Sequence, residues 1–481
     1  MSEKHLVAKI AFLEEKDKKK SAEIRKLRQR NSALVISCRA WKNKTKASQA
    51  KRVSVSRGYK TCNDCDVPKT PDIPRHKFKL DLVNISLALY FLGGCSLRGV
   101  KRVLFCFQFN YGMFNGDLPS KSTINNWVQK VGYDDYTQCG EGVYESDYGI
   151  IMDESMVIGQ QRMMVVLGLP AIKTSDKATN LGTVRLLYLA VRASWKAPDI
   201  EDLLKNVVKK MGKSPLYVIS DGNSNLKKGI KDSGLVRLCD VGHEIAKYIE
   251  QTYKHKEVFK AFSTAVAGVK FREVMKQTAY LLPPKQRAIA RFMNLGDTVK
   301  WASNMLRVLP KLTQVEQQTF RYLKDYESLI RELSAVFEMA HQMLKIIKTK
   351  GISYGNIEKC LIIIQDYTAK IPAELIVKIK SYFNNEKEKL PHETTIWHAS
   401  SDVIESLFGK FKQRAATNKL NGVTPSVLSL GLYGQFQEPD DQIKDKIRNA
   451  LQDVSMTDLK EWKQKYLIEN QVVRRNKIFK I

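Results

Sequence analysis

The hydrophobic rhythm of the chain changes twice. Between Leu80 and Val131, apolar side chains recur at steps of three and four residues, the spacing of amphipathic helices. One helix is expected from Leu80 to Leu92, halted at Gly93-Gly94, and a second from Ser96 to Phe107. A third opens after Ser120, a good N-cap, with Ile124, Trp127, Val128 and Val131 on one face. From Tyr148 the pattern becomes one of short, unbroken apolar runs: Tyr148 to Met152, Met163 to Leu169, Val184 to Val191, Leu216 to Ile219 and Leu235 to Cys239. These read as five strands, with an amphipathic helix from Asp199 to Met211 between the third and fourth and Gly212 just past its end. Helical periodicity then returns from Ile245 to Lys389, including a long candidate from Gln314 to Lys348, and again after Ser400. The expected fold is α/β, a mixed sheet interrupted by an all-helical insertion and preceded by a small helical domain.

The expected divisions are a basic helical arm over 1–60, a linker over 61–74 and a helical domain over 75–135. The sheet domain follows over 145–244, the insertion over 245–390, the last part of the sheet domain over 391–435 and a basic helical tail over 436–481. Within the arm, Leu6, Ile10, Leu13, Ile24, Leu27 and Leu34 follow a heptad rhythm, with Asn31 in the seam. That pattern suits a coiled coil and a homodimer or higher oligomer; a solvated basic helix is the alternative.

Charge narrows the function. Eighty Lys and Arg against 50 Asp and Glu leave a net +30, and the first sixty residues alone hold 18 basic and 5 acidic side chains. Such a surplus repels itself unless it meets a polyanion, and nucleic acid is the expected partner. No run approaches the roughly 20 apolar residues of a membrane span, and Met1 to Ile10 has no apolar core of a signal peptide. Eight dispersed cysteines suggest a reducing compartment, so a soluble, cytoplasmic protein is expected. Cys62 and Cys65 form only half of a zinc site, and His76 is a poor complement. On the third helix, Lys121, Thr123, Asn125, Asn126 and Lys130 lie opposite the apolar stripe and suit phosphates and base edges of double-stranded DNA. A helix-turn-helix is one reading of this segment and a plain helical bundle the other.

Three acids carry the candidate chemistry. Asp153 follows the first apolar run and Asp221 the fourth, each expected at a strand end where a rigid sheet fixes its position. Glu405 lies near the start of the helix after Ser400-Ser401, with Asp402 three residues before it. A turn Asp at Asp221-Gly222-Asn223 and a capping Glu at 405 are the ordinary alternatives.

The segments Ile150-Ile151-Met152-Asp153-Glu154, Ile219-Ser220-Asp221-Gly222 and Asp402 to Lys412 resemble, in order and spacing, the catalytic motifs of DDE-class transposases of bacterial insertion sequences. The resemblance covers roughly residues 145 to 415. It implies an RNase H-like catalytic domain in which Asp153, Asp221 and Glu405 bind two Mg²⁺ or Mn²⁺ ions and cut and rejoin DNA. It also implies a phosphate contact from Lys412, seven residues after Glu405, and a supporting role for Asp240 and His243 in Asp240-Val241-Gly242-His243. Trp301 in the insertion would stack a flipped base, although a Trp at helical spacing is more often core; Trp397 raises the same question. A transposase-derived DNA-binding protein without catalysis, and a nuclease that cuts without joining, are the competing expectations.

Overall fold

The computed structural model describes residues 73–74, 76–114, 116–158, 161–284, 295–414, 422–436, 441–469 and 471–479. The basic arm with its heptad seam, and Cys62 and Cys65, lie outside the described residues. Among the described residues, three helices precede the sheet: α1 (Leu80–Phe91), α2 (Leu97–Tyr111) and α3 (Lys121–Gln138). Ser96 and Ser120 cap the second and third, each accepting a hydrogen bond at 3.1 Å from the N–H of the residue three further on, Gly99 and Thr123.

Five strands form one mixed sheet in the order β3-β2-β1-β4-β5. β1 (Tyr148–Ile158), β2 (Gln161–Pro170) and β3 (Arg185–Arg192) are an antiparallel meander. β4 (Val218–Ser220) and β5 (Arg237–Cys239) join β1 in parallel. Parallel pairing requires crossovers, which α4 (Ala197–Met211) and α5 (Ser224–Asp232) supply. The alternate residues Ile151, Met163 and Val165 belong to one hydrophobic cluster, and Ile150, Met152 and Met164 to another. Both faces of the sheet are therefore covered, which is why its strands read as unbroken apolar runs.

After β5, the described residues up to Lys387 form helices α6 (Val241–Tyr253), α7 (Glu257–Glu273), α8 (Leu295–Val308), α9 (Gln314–Phe320), α10 (Glu327–Lys350), α11 (Tyr354–Asp366) and α12 (Ala373–Lys387), with short 3₁₀ turns between some of them. The expected single helix from Gln314 to Lys348 is broken by a 3₁₀ turn at Arg321–Tyr326, which brings both Phe320 and Leu323 into the core. At the end of α10, Gly351 has φ +79° and lies so close to Trp397 that a Cβ would stand 2.6 Å from the Trp397 carbonyl oxygen. There Ile352 and Trp397 form an isolated bridge, and Trp397 is buried against Tyr217, so it packs rather than facing a ligand.

The chain ends with α13 (Asp402–Arg414), α14 (Ser429–Leu432), α15 (Asp441–Asp453), α16 (Met456–Tyr466) and α17 (Gln471–Phe479). α13 lays Val403, Ile404 and Leu407 into the core shared with the sheet. α15 and α16 bury Ile447, Ala450, Leu459 and Trp462, and Lys446 pairs with Asp135 of α3 at 2.5 Å. Among the described helices, only α17 is without buried residues. Among the described residues no helix is long and apolar enough to cross a membrane.

Candidate active site

The parallel pairing of β1 and β4 matches Ile150 with Val218 and Ile151 with Ile219. Asp153 and Asp221 each lie two residues beyond the last pair, so register brings them side by side. Sequence reasoning placed Asp153 at the end of its strand, and this is corrected: β1 runs on to Ile158, with Asp153 opposite Val165 of β2. What ends near Asp153 is the short β4, whose last residue is Ser220. Asp153 therefore sits beside an edge that β4 leaves open.

Burial, and then the charge of Asp221, push the Asp153 carboxyl up to about 7. Its Oδ1 accepts from the Glu154 N–H at 2.7 Å, and Asp221 Oδ1 accepts from the Asn223 N–H at 3.0 Å. The neighbouring acid Glu154 pairs with Arg162 at 2.7 Å, whereas among the described residues Asp153 has no ion-pair partner. Arg237 of β5 braces this strand end, donating to Ser220 Oγ at 2.8 Å and to the Asp221 carbonyl.

Glu405 reaches the same region from α13, where it meets His243 of α6. His243 Nε2 stands 2.9 Å from Glu405 Oε1. That bond holds the His243 imidazolium up to about 9 and the Glu405 carboxyl below its usual range, with Lys348 adding to the latter. The capping alternative for Glu405 does not hold. A glutamate capping from position 405 would take the Asp402 N–H, which donates to Ser400 Oγ at 3.3 Å instead. Asp402 instead pairs with Lys348 at 2.6 Å.

Asp240 is the N-cap of α6, is 1% exposed and accepts from the His243 N–H at 2.7 Å. The helix thus starts at Val241, and His243 is in its first turn rather than at its cap. Ser401, Lys348 and Arg237 escaped sequence reasoning, since each acts across 16 residues or more of chain and carries no local motif. Beside His243, a cleft of about 750 Å³ runs between α6, α8 and α10, lined in part by Gly242, Lys300, Asn304, His341 and Lys348.

The hard oxygen donors of Asp153 and Asp221 suit Mg²⁺ or Mn²⁺, because two adjacent carboxylates of like charge are relieved by a cation. Among the described residues each uses only one oxygen in hydrogen bonding. Glu405 is turned to His243, and among the described residues no three His, Cys, Asp or Glu side chains form a group ready to hold a metal ion.

The expected DNA contacts are scattered. Lys412 is exposed on α13, and Lys121 is exposed at the start of α3. Thr123 is part of the Ser120 cap, Asn125 and Asn126 are half-buried, and Lys130 donates to the Leu451 carbonyl at 3.4 Å. Trp301 donates to the Leu281 carbonyl at 2.8 Å and packs edge-on against Phe320, which makes it a packing residue of the insertion. No protein-family model matches the chain, and no curated protein does.

Proposed function

We propose that the chain is a DNA transposase with an RNase H-like catalytic domain, cleaving phosphodiester bonds at element ends and transferring the freed 3′-hydroxyl to target DNA. The observation that carries this reading is the pairing of Asp153 and Asp221 on adjacent parallel strands, with Glu405 brought towards them by a helix from across a helical insertion. The strand order, three antiparallel strands followed by two parallel ones, supports the RNase H-like reading. The net charge of +30 supports a nucleic-acid substrate, and the arm of residues 1–60 suits an oligomer on paired DNA ends.

Asp153 and Asp221 would hold the divalent cations, with Glu405 completing the set when it exchanges His243 for metal. Mg²⁺ or Mn²⁺ held there would activate an attacking oxygen and relieve charge on the leaving one. Asp240 positions His243 and Ser401, and so aligns α6 with α13. Lys412 and Lys121 would contact phosphates.

Incubation of the chain with supercoiled plasmid and Mg²⁺ or Mn²⁺ tests the reading. Nicking by the wild type is expected, with its loss in Asp153→Asn and Asp221→Asn while DNA binding survives. Cutting by either variant overturns the assignment. The His243–Glu405 bond favours one second reading, a transposase-derived DNA-binding protein without catalysis, in which metal never displaces the histidine. Binding without metal-dependent nicking would select it.

A further inference from the structure

We propose that the exposed face of α2 binds single-stranded nucleic acid, with phosphates on its first half and unpaired bases on its second. The proposal rests on the nucleic-acid reading of the charge, but not on the acids of the sheet.

Only Val100 and Leu104 of α2 are buried, although the helix is 15 residues long. Arg98, Lys101 and Arg102 are exposed in its first two turns. Further along, Phe105 is 56% and Phe109 78% exposed, followed by Tyr111 at 68% and Met113 at 51%. A soluble surface does not ordinarily leave two phenylalanines and a tyrosine together in water, and such patches mark contact sites. The Phe105 and Phe109 rings lie 6.0 Å apart and 21° from parallel, so two exposed aromatic rings stand side by side on this face.

Charge selects the partner. No Asp or Glu occurs between Leu82 and Gly116. A second copy of the same face would therefore bring cation against cation. Duplex DNA would cover the cations but leave the rings idle, because its bases are already stacked on one another. A strand with unpaired bases satisfies both halves at once, phosphates meeting Arg98, Lys101 and Arg102 and bases meeting Phe105 and Phe109. From Arg98 to Phe109 the helix rises roughly 16 Å, so both halves are within reach of one short stretch of strand.

The surface continues into an open cleft of about 510 Å³, lined by Lys101, Phe105, Gln108, Ser120 and Thr123 among others. Gln108 of α2 also lines it, and its amide donates to the carbonyls of Phe114 at 2.9 Å and Gly116 at 2.8 Å. The single acid lining it, Asp117, is paired with Lys77 at 2.7 Å and leaves the cleft without free negative charge. The cleft joins the α2 face to the start of α3, where Lys121 is exposed.

The test uses the full chain, a labelled oligothymidylate and a labelled duplex of equal length, read by fluorescence anisotropy. Phe105→Ala/Phe109→Ala should weaken oligothymidylate binding by roughly tenfold or more while duplex binding changes little. Phe105→Trp/Phe109→Trp should restore it, which separates stacking from a folding defect. Arg98→Gln/Arg102→Gln should weaken oligothymidylate binding and flatten its salt dependence. Unchanged oligothymidylate affinity in the double alanine variant overturns the proposal, as does a drop in its oligomeric state by sedimentation with that affinity intact. A wild type that binds oligothymidylate through these rings but never nicks plasmid leaves this proposal standing and defeats only the enzymatic one.

Discussion

Asp240 Oδ2 accepts from both the backbone N–H and the hydroxyl of Ser401, at 2.5 and 2.9 Å, across 161 residues of sequence. Its other oxygen caps α6 through the His243 N–H at 2.7 Å. One buried carboxylate thus fixes the starts of both helices that bring His243 and Glu405 together. Asp240→Ala leaves these donors without their acceptor in a buried place and removes an N-cap. It should cost roughly 3 kcal/mol in urea unfolding and lower any metal-dependent cleavage. Asp240→Asn, which keeps an acceptor oxygen, should cost less; equal losses in the two variants would show that the charge alone matters.

Asp153 should destabilise the metal-free protein at neutral pH. Its folded carboxyl sits at about 7, well above an ordinary aspartate, so the folded state holds a proton the unfolded chain releases. Stability therefore falls as pH rises from about 4 to 7 and is level beyond. Asp153→Asn removes the charge with little change of shape. At pH 8 it should raise the unfolding free energy, on the order of 2 kcal/mol, and near pH 4 it should change little. Mg²⁺ should raise the melting temperature of the wild type and not that of the variant, a readout independent of cleavage.

The His243–Glu405 pair gives a pH dependence of the same sign in a higher pH window. The folded imidazolium, held up to about 9, is favoured over its unfolded value near 6.5. Its contribution is fully present below pH 6.5 and fades as pH rises through 9. Unfolding midpoints at pH 6.5 and 9.5 should differ less in His243→Gln and in Glu405→Gln than in the wild type. The pair is partly open to solvent, with side-chain exposures of 32% and 45%, so the difference should also shrink in high salt.

Much of this arrangement was legible in the sequence because it rests on period and punctuation. The five apolar runs became the five strands, and Ser120 and Gly212 ended up at the caps where their chemistry suits them, while Ser96, expected as the first residue of its helix, is its N-cap. Asp153 was placed on the right strand but wrongly at its end, since the run of apolar residues stops where pairing with β4 stops, not where β1 does. The break at Arg321–Tyr326 left no mark, because no Pro or Gly signals it and packing of Phe320 and Leu323 decides it. The resemblance gave Asp240 and His243 a supporting role, but the pairing of His243 with Glu405 and of Lys348 with Asp402 was out of reach, because it arises through tertiary packing and nothing local to residues 402–414 names it.

Trp301 illustrates how a tempting aromatic resolves into packing. Its indole N–H is taken by the Leu281 carbonyl at 2.8 Å and its ring meets Phe320, which is wholly buried. Trp301→Phe keeps most of the apolar contact and loses the hydrogen bond, so a cost of about 1 kcal/mol is expected. Trp301→Ala loses the ring as well and should cost about 3 kcal/mol or more. If the role is packing, both variants keep the wild-type affinity for duplex and single-stranded DNA wherever they remain folded. A Trp301→Phe variant with unchanged stability but at least tenfold weaker DNA binding would instead put the ring at the nucleic-acid surface and require α8 to open.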